Sequence, residues 1–319
     1  MTHTLVLHGG AGTIPLDRMG PGEMEAHHAG LRAALQAGHA VLAAGGAALE
    51  AVMAAVMALE DDPLFNAGRG AVFTRAGVQE MDAAVMDGAT LRVGAVAGIR
   101  GPRNPVLAAH AVMEHSPHIL LAGDGALAFL RGHGVVFEDD AYFHTTRRWD
   151  ALQRVLAGPD RVRDDADRHG TVGAVARDAQ GRLAAATSTG GMTGKLPGRI
   201  GDTPLPGAGT WADGTVAFSA TGHGESFIRT AAGHELSARM RLAGEDLEAA
   251  SDAVMAGLAA VGGDGGFIAV DAAGRLAMPF NSGGMYRGWA GVDGAAHTGV
   301  HRDALLRHPV VLAAPAGTR

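Results

Sequence analysis

Cysteine is absent from all 319 residues, which excludes disulfides, thiol nucleophiles and cysteine-ligated zinc or iron–sulfur centres. Any covalent nucleophile must therefore be a hydroxyl, an amine or a carboxylate. Lysine is nearly absent too: Lys195 is the only one. Such a bias toward arginine reflects genome composition and marks no function by itself. Blocks of like charge are missing, and the formal charge of -7 with a pI near 6.1 gives no footprint for nucleic acid or an anionic membrane surface. A small-molecule or peptide partner is expected instead. The opening Thr2-His3-Thr4-Leu5-Val6-Leu7-His8 carries neither a basic region nor a secretory-length apolar stretch, so a cytoplasmic protein is expected. Only Ala40 to Leu59 approaches membrane length. Its Ala and Gly content, Glu50 and the Gly45-Gly46 break point instead to a buried helix pair.

Small residues take the place of the missing types. Thr4 to Leu7 reads as a buried strand entering a glycine-rich turn, His8-Gly9-Gly10-Ala11-Gly12. Helices are expected from about Glu23 to Leu59, Pro105 to Glu114 and Gly125 to Leu130, and two strands turning at Asp87-Gly88 between Met81 and Gly98. Residues 145–170 crowd arginine and aspartate among few large apolar residues, which predicts a flexible, solvent-exposed linker. The character changes abruptly at Gly170-Thr171. A hairpin follows, with strands to Asp178 and from Arg182 to Thr189, and its Asp-x-x-Gly-Arg-Leu-Ala pattern recurs 93 residues later from Asp271. Reuse of one turn chemistry explains the recurrence, or two hairpins sit symmetrically in two packed sheets. Together these elements suggest two stacked sheets covered by helix layers, with small residues where the layers approach.

Familiar motifs come close and miss. Gly190-Gly191-Met192-Thr193-Gly194-Lys195 resembles a phosphate loop, but Leu196 stands where the magnesium-binding hydroxyl belongs. Gly10-Ala11-Gly12 and Gly222-His223-Gly224 lack the third glycine of a dinucleotide fingerprint, with Pro15 and Phe227 in its place. A nucleotide-binding α/β protein is thus the reading of another class. The histidines offer no His-Glu-x-x-His spacing, and no Gly-x-Ser-x-Gly elbow occurs.

What remains is a series of four segments: His169-Gly170-Thr171-Val172-Gly173, Thr187-Ser188-Thr189-Gly190-Gly191, Gly198-Arg199-Ile200-Gly201-Asp202, and Ala220-Thr221-Gly222-His223-Gly224-Glu225. With His8-Gly9-Gly10-Ala11-Gly12 and the Asn281-to-Tyr286 region, they resemble the plant-type asparaginase and isoaspartyl aminopeptidase family of N-terminal-nucleophile hydrolases. The resemblance implies a four-layer αββα sandwich of two mainly antiparallel sheets, cleaved before Thr171 into an α-subunit (1–170) and a β-subunit (171–319) that stay together and pair as a homodimer of αβ units. It implies hydrolysis of L-asparagine or of isoaspartyl dipeptides; a glycosylasparaginase or a threonine endopeptidase is the alternative within the superfamily.

The chemistry suits the residues. A threonine hydroxyl needs a base close by, and a free α-amino group with a reference pKa of about 7.7–8.0 can supply it from the same residue. Gly170 puts no side chain in the way of the attack. Thr189 ends the return strand of the hairpin and can lie beside Thr171 across the sheet; by resemblance it orients the attacking oxygen. Thr187 shares that face and is expected to pack. By the same resemblance Thr221 and the Gly222 N–H meet the oxyanion, Arg199 takes the substrate α-carboxylate, Asp202 its α-ammonium, and the backbone of Gly222 and Gly224 completes the grip. Lys195 is taken as positional. No cofactor is expected for catalysis. Leu59, Glu60, Asp62, Phe65, Ala67 and Arg69 match a segment whose carbonyls wrap a structural sodium ion in relatives, and the same loop would place Asn66 near the site or merely use it in a turn.

Overall fold

The computed structural model describes residues 3–12, 14, 21–158, 170–302 and 304–309. Its first strand, β1 (Thr4–Gly12), shows how the layers arise. Successive side chains leave a strand on opposite faces, so Leu5 and Leu7 enter one apolar cluster while Val6 enters another. The expected turn at His8 to Gly12 is instead strand with a bulge between His8 and Gly10, where Gly10 adopts φ +119°. A residue with a Cβ would be strained there and would meet the Gly170 Cα at 2.6 Å.

Helices α1 (Pro21–Ala43) and α2 (Ala48–Asp61) break at Gly45-Gly46 as expected. Strands β2 (Met81–Asp87) and β3 (Arg92–Ile99) form the predicted hairpin, followed by α3 (Pro105–His115), β4 (Leu120–Ala122), α4 (Gly123–Gly132) and the short α5 (Asp140–Phe143). The charged segment departs from expectation. Its first half is a helix, α6 (Thr146–Leu156), capped by the Thr145 hydroxyl, which accepts the Arg148 N–H at 3.4 Å. The charges mask an amphipathic period: Arg148, Ala151 and Leu152 share the buried face, and Arg148 donates to the carbonyls of Gly70 and Leu64 at 2.8 and 3.1 Å. The rest of the expected linker, 159–169, lies outside the described residues.

Beyond Thr171 come β5 (Val172–Arg177), β6 (Leu183–Thr189), β7 (Thr210–Ala212), β8 (Val216–Gly222), α7 (Gly224–Thr230), α8 (Ala232–Ala238), α9 (Leu247–Ala260), β9 (Gly265–Asp271), β10 (Leu276–Ala277), β11 (Gly284–Gly291), β12 (Ala295–Gly299) and β13 (Leu306–Pro309). Nine strands form one sheet in the order β13-β12-β11-β1-β5-β6-β2-β3-β4, antiparallel except for β3–β4. Four form a second antiparallel sheet, β10-β9-β8-β7. One core joins α1, α2 and α3 to the outer face of the large sheet, a second joins α8 and α9 to the small sheet, and a third fills the gap between sheets with Val6, Val175, Ala185, Ala217 and Ile268 among others. This is the expected αββα sandwich. Among the described residues no helix is long and apolar enough to cross a membrane.

The recurring hairpin pattern is both things at once. Asp178 and Asp271 each accept two turn N–H groups and pair with the arginine four residues on, Arg182 at 2.7 Å and Arg275 at 2.6 Å. One hairpin lies in each sheet.

The gap is narrow where the sheets carry no side chains. A Cβ on Gly173 would meet the Ser219 hydroxyl of the opposite sheet and lie 2.6 Å from His8 Nε2. Gly257, inside α9, faces open space. Gly173→Ala is therefore expected to destabilise the fold by about 1–3 kcal/mol through overpacking, and Gly257→Ala to stabilise it by about 0.5–1 kcal/mol through helix propensity. Urea unfolding of both variants should show these opposite signs.

Candidate active site

The alternation that builds the inter-sheet core also lines it with polar groups. On β5, Val172, Ala174 and Ala176 turn to the helices, so Thr171, Gly173 and Val175 turn inward; on β6 the inward set includes Thr187 and Thr189, on β8 Ser219 and Thr221, on β2 Asp82. Register does the rest. Val172 opposes Ser188 and Asp82 opposes Thr189, so Thr171, Thr189 and Asp82 form a row across β5, β6 and β2. In that row Thr171 Oγ1 donates to Thr189 Oγ1 at 3.1 Å, and Thr189 Oγ1 also accepts the Gly191 N–H at 2.9 Å.

One row further in, His8 opposes Gly173 and Gly173 opposes Thr187. His8 is fully buried. Its Nδ1 lies 2.9 Å from the Thr171 carbonyl oxygen. Because a carbonyl can only accept, Nδ1 carries the proton and Nε2 accepts from Ser219 Oγ at 2.9 Å. The line continues through Thr187 and Thr210, at 2.7 Å for each link. Thr187 thus belongs to a buried hydroxyl network, more than the packing expected of it. Burial drives the His8 pKa down to about 3, the Thr171 carbonyl opposing only weakly.

Gly170, Thr171, Thr189, Arg199, Asp202 and Gly222 line one small cleft, together with Gly191, Met192 and Gly201. Six positions singled out from sequence therefore converge. Two others stand just behind: Thr221 Oγ1 accepts the Ala11 N–H at 3.0 Å, leaving its own proton free to donate, and Gly224 backs onto Asp202. Gly222 has φ +140°, and a Cβ there would strike Asp264 O at 2.5 Å.

Arg199 and Asp202 do not pair with each other. Arg199 holds Glu225 through two hydrogen bonds, Nε to Oε1 at 3.0 Å and Nη2 to Oε2 at 2.9 Å. Burial pushes the Glu225 carboxyl up, but the Arg199 hydrogen bonds and charge outweigh it and leave it below the usual range. Asp202 is the opposite case. Its carboxylate is wedged against Gly209 and Gly224, where a Cβ would come within 2.7 Å of its oxygens, and Oδ2 has no partner among the described residues. Burial raises its pKa to about 7, with Arg199 pulling the other way.

Two charged residues around this cleft, Asp82 and Glu225, were given no role from the sequence, and a third, Lys195, was taken as positional. Asp82, fully buried beneath the loop that carries Arg199 and Asp202, accepts the N–H of Gly98 at 2.8 Å and of Gly201 at 3.4 Å. Burial raises its pKa against the pull of the Lys195 charge. Lys195 donates to the Glu80 carbonyl at 2.7 Å, and its own pKa is lowered by burial. Glu225 follows directly after the Gly222-His223-Gly224 run. A strand-alternation reading of β2 could have found Asp82; nothing local announces Glu225 as the partner of Arg199.

The loop expected to hold a cation lies on the far side of Thr189. Asn66 joins the two: its Nδ2 donates to Gly191 O at 2.7 Å, its Oδ1 accepts the Val72 N–H at 3.0 Å, and its carbonyl accepts the Gly190 N–H at 3.0 Å. Leu59 and Glu60 end α2, where the last carbonyls have no helical partner. Gly68, at φ +50°, leaves room for the Glu60 carbonyl, 2.6 Å from where its Cβ would be. The carbonyls of Asp62, Phe65 and Ala67 each accept one N–H within the loop and keep a second lone pair. Uncharged oxygen donors at the negative end of a helix fit a hard cation. Among the described residues no cluster of three His, Asp or Glu side chains offers another metal site.

A sandwich of this layering, with a threonine at the edge of its inter-sheet gap beside a guanidinium and a lone carboxylate, defines a hydrolase of the asparaginase family, and the chain belongs to it: the family model described as asparaginase matches residues 1–300. Among its relatives, an isoaspartyl peptidase of Salmonella typhimurium is 47% identical, covering 94% of this chain and 98% of its own. A plant-type L-asparaginase of Pyrobaculum calidifontis is 42% identical over 90% of this chain and 96% of its own, and an isoaspartyl peptidase/L-asparaginase of Danio rerio 40% identical over 97% and 99%.

The folded pKa of His8 lies below its unfolded value of 6.5. Between about pH 6.5 and about 3 the unfolded chain therefore binds the extra proton, and the stability that neutral His8 contributes above pH 6.5 drains away as pH falls. Against wild type, His8→Gln should flatten the acid limb of denaturant-derived stability by up to about 1.4 kcal/mol per pH unit in that window. Parallel acid limbs would refute it.

Proposed function

We propose that the chain cuts its own Gly170–Thr171 bond and that the freed Thr171 hydrolyses the side-chain amide of L-asparagine and the β-aspartyl bond of isoaspartyl dipeptides. The observation that carries this reading is the Thr171–Thr189 hydroxyl pair at 3.1 Å, in one cleft with Arg199 and with an Asp202 carboxylate whose Oδ2 has no partner among the described residues. A buried carboxylate oxygen without a partner is costly; a substrate ammonium would satisfy it.

In the turnover proposed, Arg199 takes the α-carboxylate through donors that Glu225 leaves unused, and Asp202 takes the α-ammonium. The Thr171 amine accepts the Oγ1 proton, and Oγ1 attacks the side-chain carbonyl carbon. Thr221 Oγ1–H and the Gly222 N–H receive the oxyanion, the kind of interaction whose loss costs about 10²–10³ in rate. The ammonium formed on Thr171 returns its proton to the departing ammonia or amino acid, leaving an ester on Oγ1. Water, deprotonated by the same amine, then splits the ester to aspartate. Thr189 fixes the direction of the hydroxyl throughout. His8 grips the Thr171 carbonyl, so the residue is held from both ends.

A sodium ion is part of this proposal. The carbonyls of Leu59, Glu60, Asp62, Phe65, Ala67 and Arg69 would hold it and stiffen the loop that positions Asn66. The ion would supply structure only.

Incubated wild-type protein should resolve into two fragments, the smaller beginning at Thr171, and should release ammonia from L-asparagine. Thr171→Ala should remain one full-length band and release none. A smaller fragment beginning at another residue, or ammonia release by the alanine variant, would overturn the proposal; N-terminal sequencing and an ammonia assay decide.

A further inference from the structure

The small cleft adjoins a wider groove whose lining includes Arg75, Val155, Leu156, Met192, Lys195, Arg199 and Glu225. Met192 and Arg199 border both spaces, so groove and cleft adjoin. One bank is apolar and comes from the unexpected helix α6, whose Val155 packs so close that a Cβ on Gly194 would meet its Cγ1 at 2.9 Å. The other bank is cationic. Arg199 is neutralised by Glu225, and the buried Lys195 ammonium is bound to the Glu80 carbonyl. Arg75 differs from both. It is exposed, its guanidinium has no carboxylate partner among the described residues, and its backbone is anchored by its N–H to Lys195 O at 2.9 Å.

Asparagine and an isoaspartyl dipeptide present the same aspartyl half to Arg199 and Asp202. They differ in what leaves: ammonia in one case, an amino acid with a side chain and a free C-terminal carboxylate in the other. That second group must extend out of a cleft too small for it. The groove adjoins the cleft and offers one anion-binding fork and one apolar wall.

Resting on the activity proposed above, we propose that this groove is the leaving-residue subsite: Arg75 binds the free C-terminal carboxylate of an isoaspartyl dipeptide, while Val155, Leu156 and Met192 receive an aliphatic side chain. Lys195 is too buried and already engaged to do the same. Arg75 would thereby favour dipeptides over longer chains, in which no carboxylate lies at that distance from the scissile bond.

The test compares wild type, Arg75→Met and Arg75→Lys on three substrates: L-asparagine, β-aspartyl-leucine and β-aspartyl-leucinamide, which lacks the terminal charge. Arg75→Met should lower kcat/KM for β-aspartyl-leucine by about tenfold or more, chiefly through KM, as expected for losing a charged hydrogen-bond pair. Asparagine turnover should stay within about twofold, since it makes no contact there. The amide should be as poor for wild type as the dipeptide is for Arg75→Met, and insensitive to the substitution; Arg75→Lys should fall between. Equal use of dipeptide and amide by wild type, or an equal loss on asparagine, would overturn the subsite while leaving the activity standing. Wild type that hydrolyses none of the three would overturn both.

Discussion

The structure depends on a gap between two sheets that is too dry for an unpaired hydroxyl and too narrow for an ordinary side chain. Strand alternation sends His8, Thr171, Thr187, Thr189, Ser219 and Thr221 into that gap. Each buried polar group must find a partner there or cost free energy comparable to a lost hydrogen bond. The arrangement that satisfies them also fixes them. Gly173 makes it possible, because its missing side chain is the space in which the Ser219 hydroxyl reaches His8. Thr171 is then held by its carbonyl at one end and by Thr189 at the other, so the oxygen proposed to attack is positioned by core packing instead of by a loop.

Arg199 and Asp202, the two residues proposed to grip substrate, show a complementary logic. A guanidinium has five donors in a rigid fork, so Glu225 can occupy one edge of Arg199 without using it up. A carboxylate has no such surplus once it is confined. Asp202, pressed between Gly209 and Gly224, is left with an unsatisfied oxygen and a pKa of about 7. Neutralising it within the protein would stabilise the fold and blunt its attraction for a cation. Asp82 beneath them accepts Gly201 N–H and faces Lys195, and so holds the loop in place from inside the sheet.

Much of this was legible in the sequence, for reasons that can be named. The β5–β6 hairpin announced itself through its turn and its period of two, and that period alone put Thr189 beside Thr171. The helix break at Gly45-Gly46 and the stacked sheets followed from small-residue composition. Charge density hid α6: arginines and aspartates read as solvated linker, yet Arg148 is buried because the Gly70 and Leu64 carbonyls accept from it. The glycine-rich end of β1 read as a turn because a bulged strand and a turn use the same residues. Glu225 as the partner of Arg199 was invisible, since 26 residues separate them and no local pattern encodes the approach. The same holds for Arg75, which becomes interesting only once α6 stands opposite it.

The strand order also explains how a protein of this design could lose the bond before Thr171 without falling apart. β1, from the segment before the cut, lies between β11 and β5, both from the segment after it; β6 in turn lies against β2. Three sheet seams therefore join residues from opposite sides of the junction, and α2 packs on β5 and β6 through the same core. Separating the pieces would mean breaking the central ladders of the large sheet, whereas cutting the junction breaks none. The Cα of Gly170 faces Gly10 and the Asn66 side chain, so the residue ahead of Thr171 is itself held by the segment it would be released with. Once the proposed cut is made, Thr171 gains an amine while its carbonyl, its hydroxyl and its strand stay where the precursor put them.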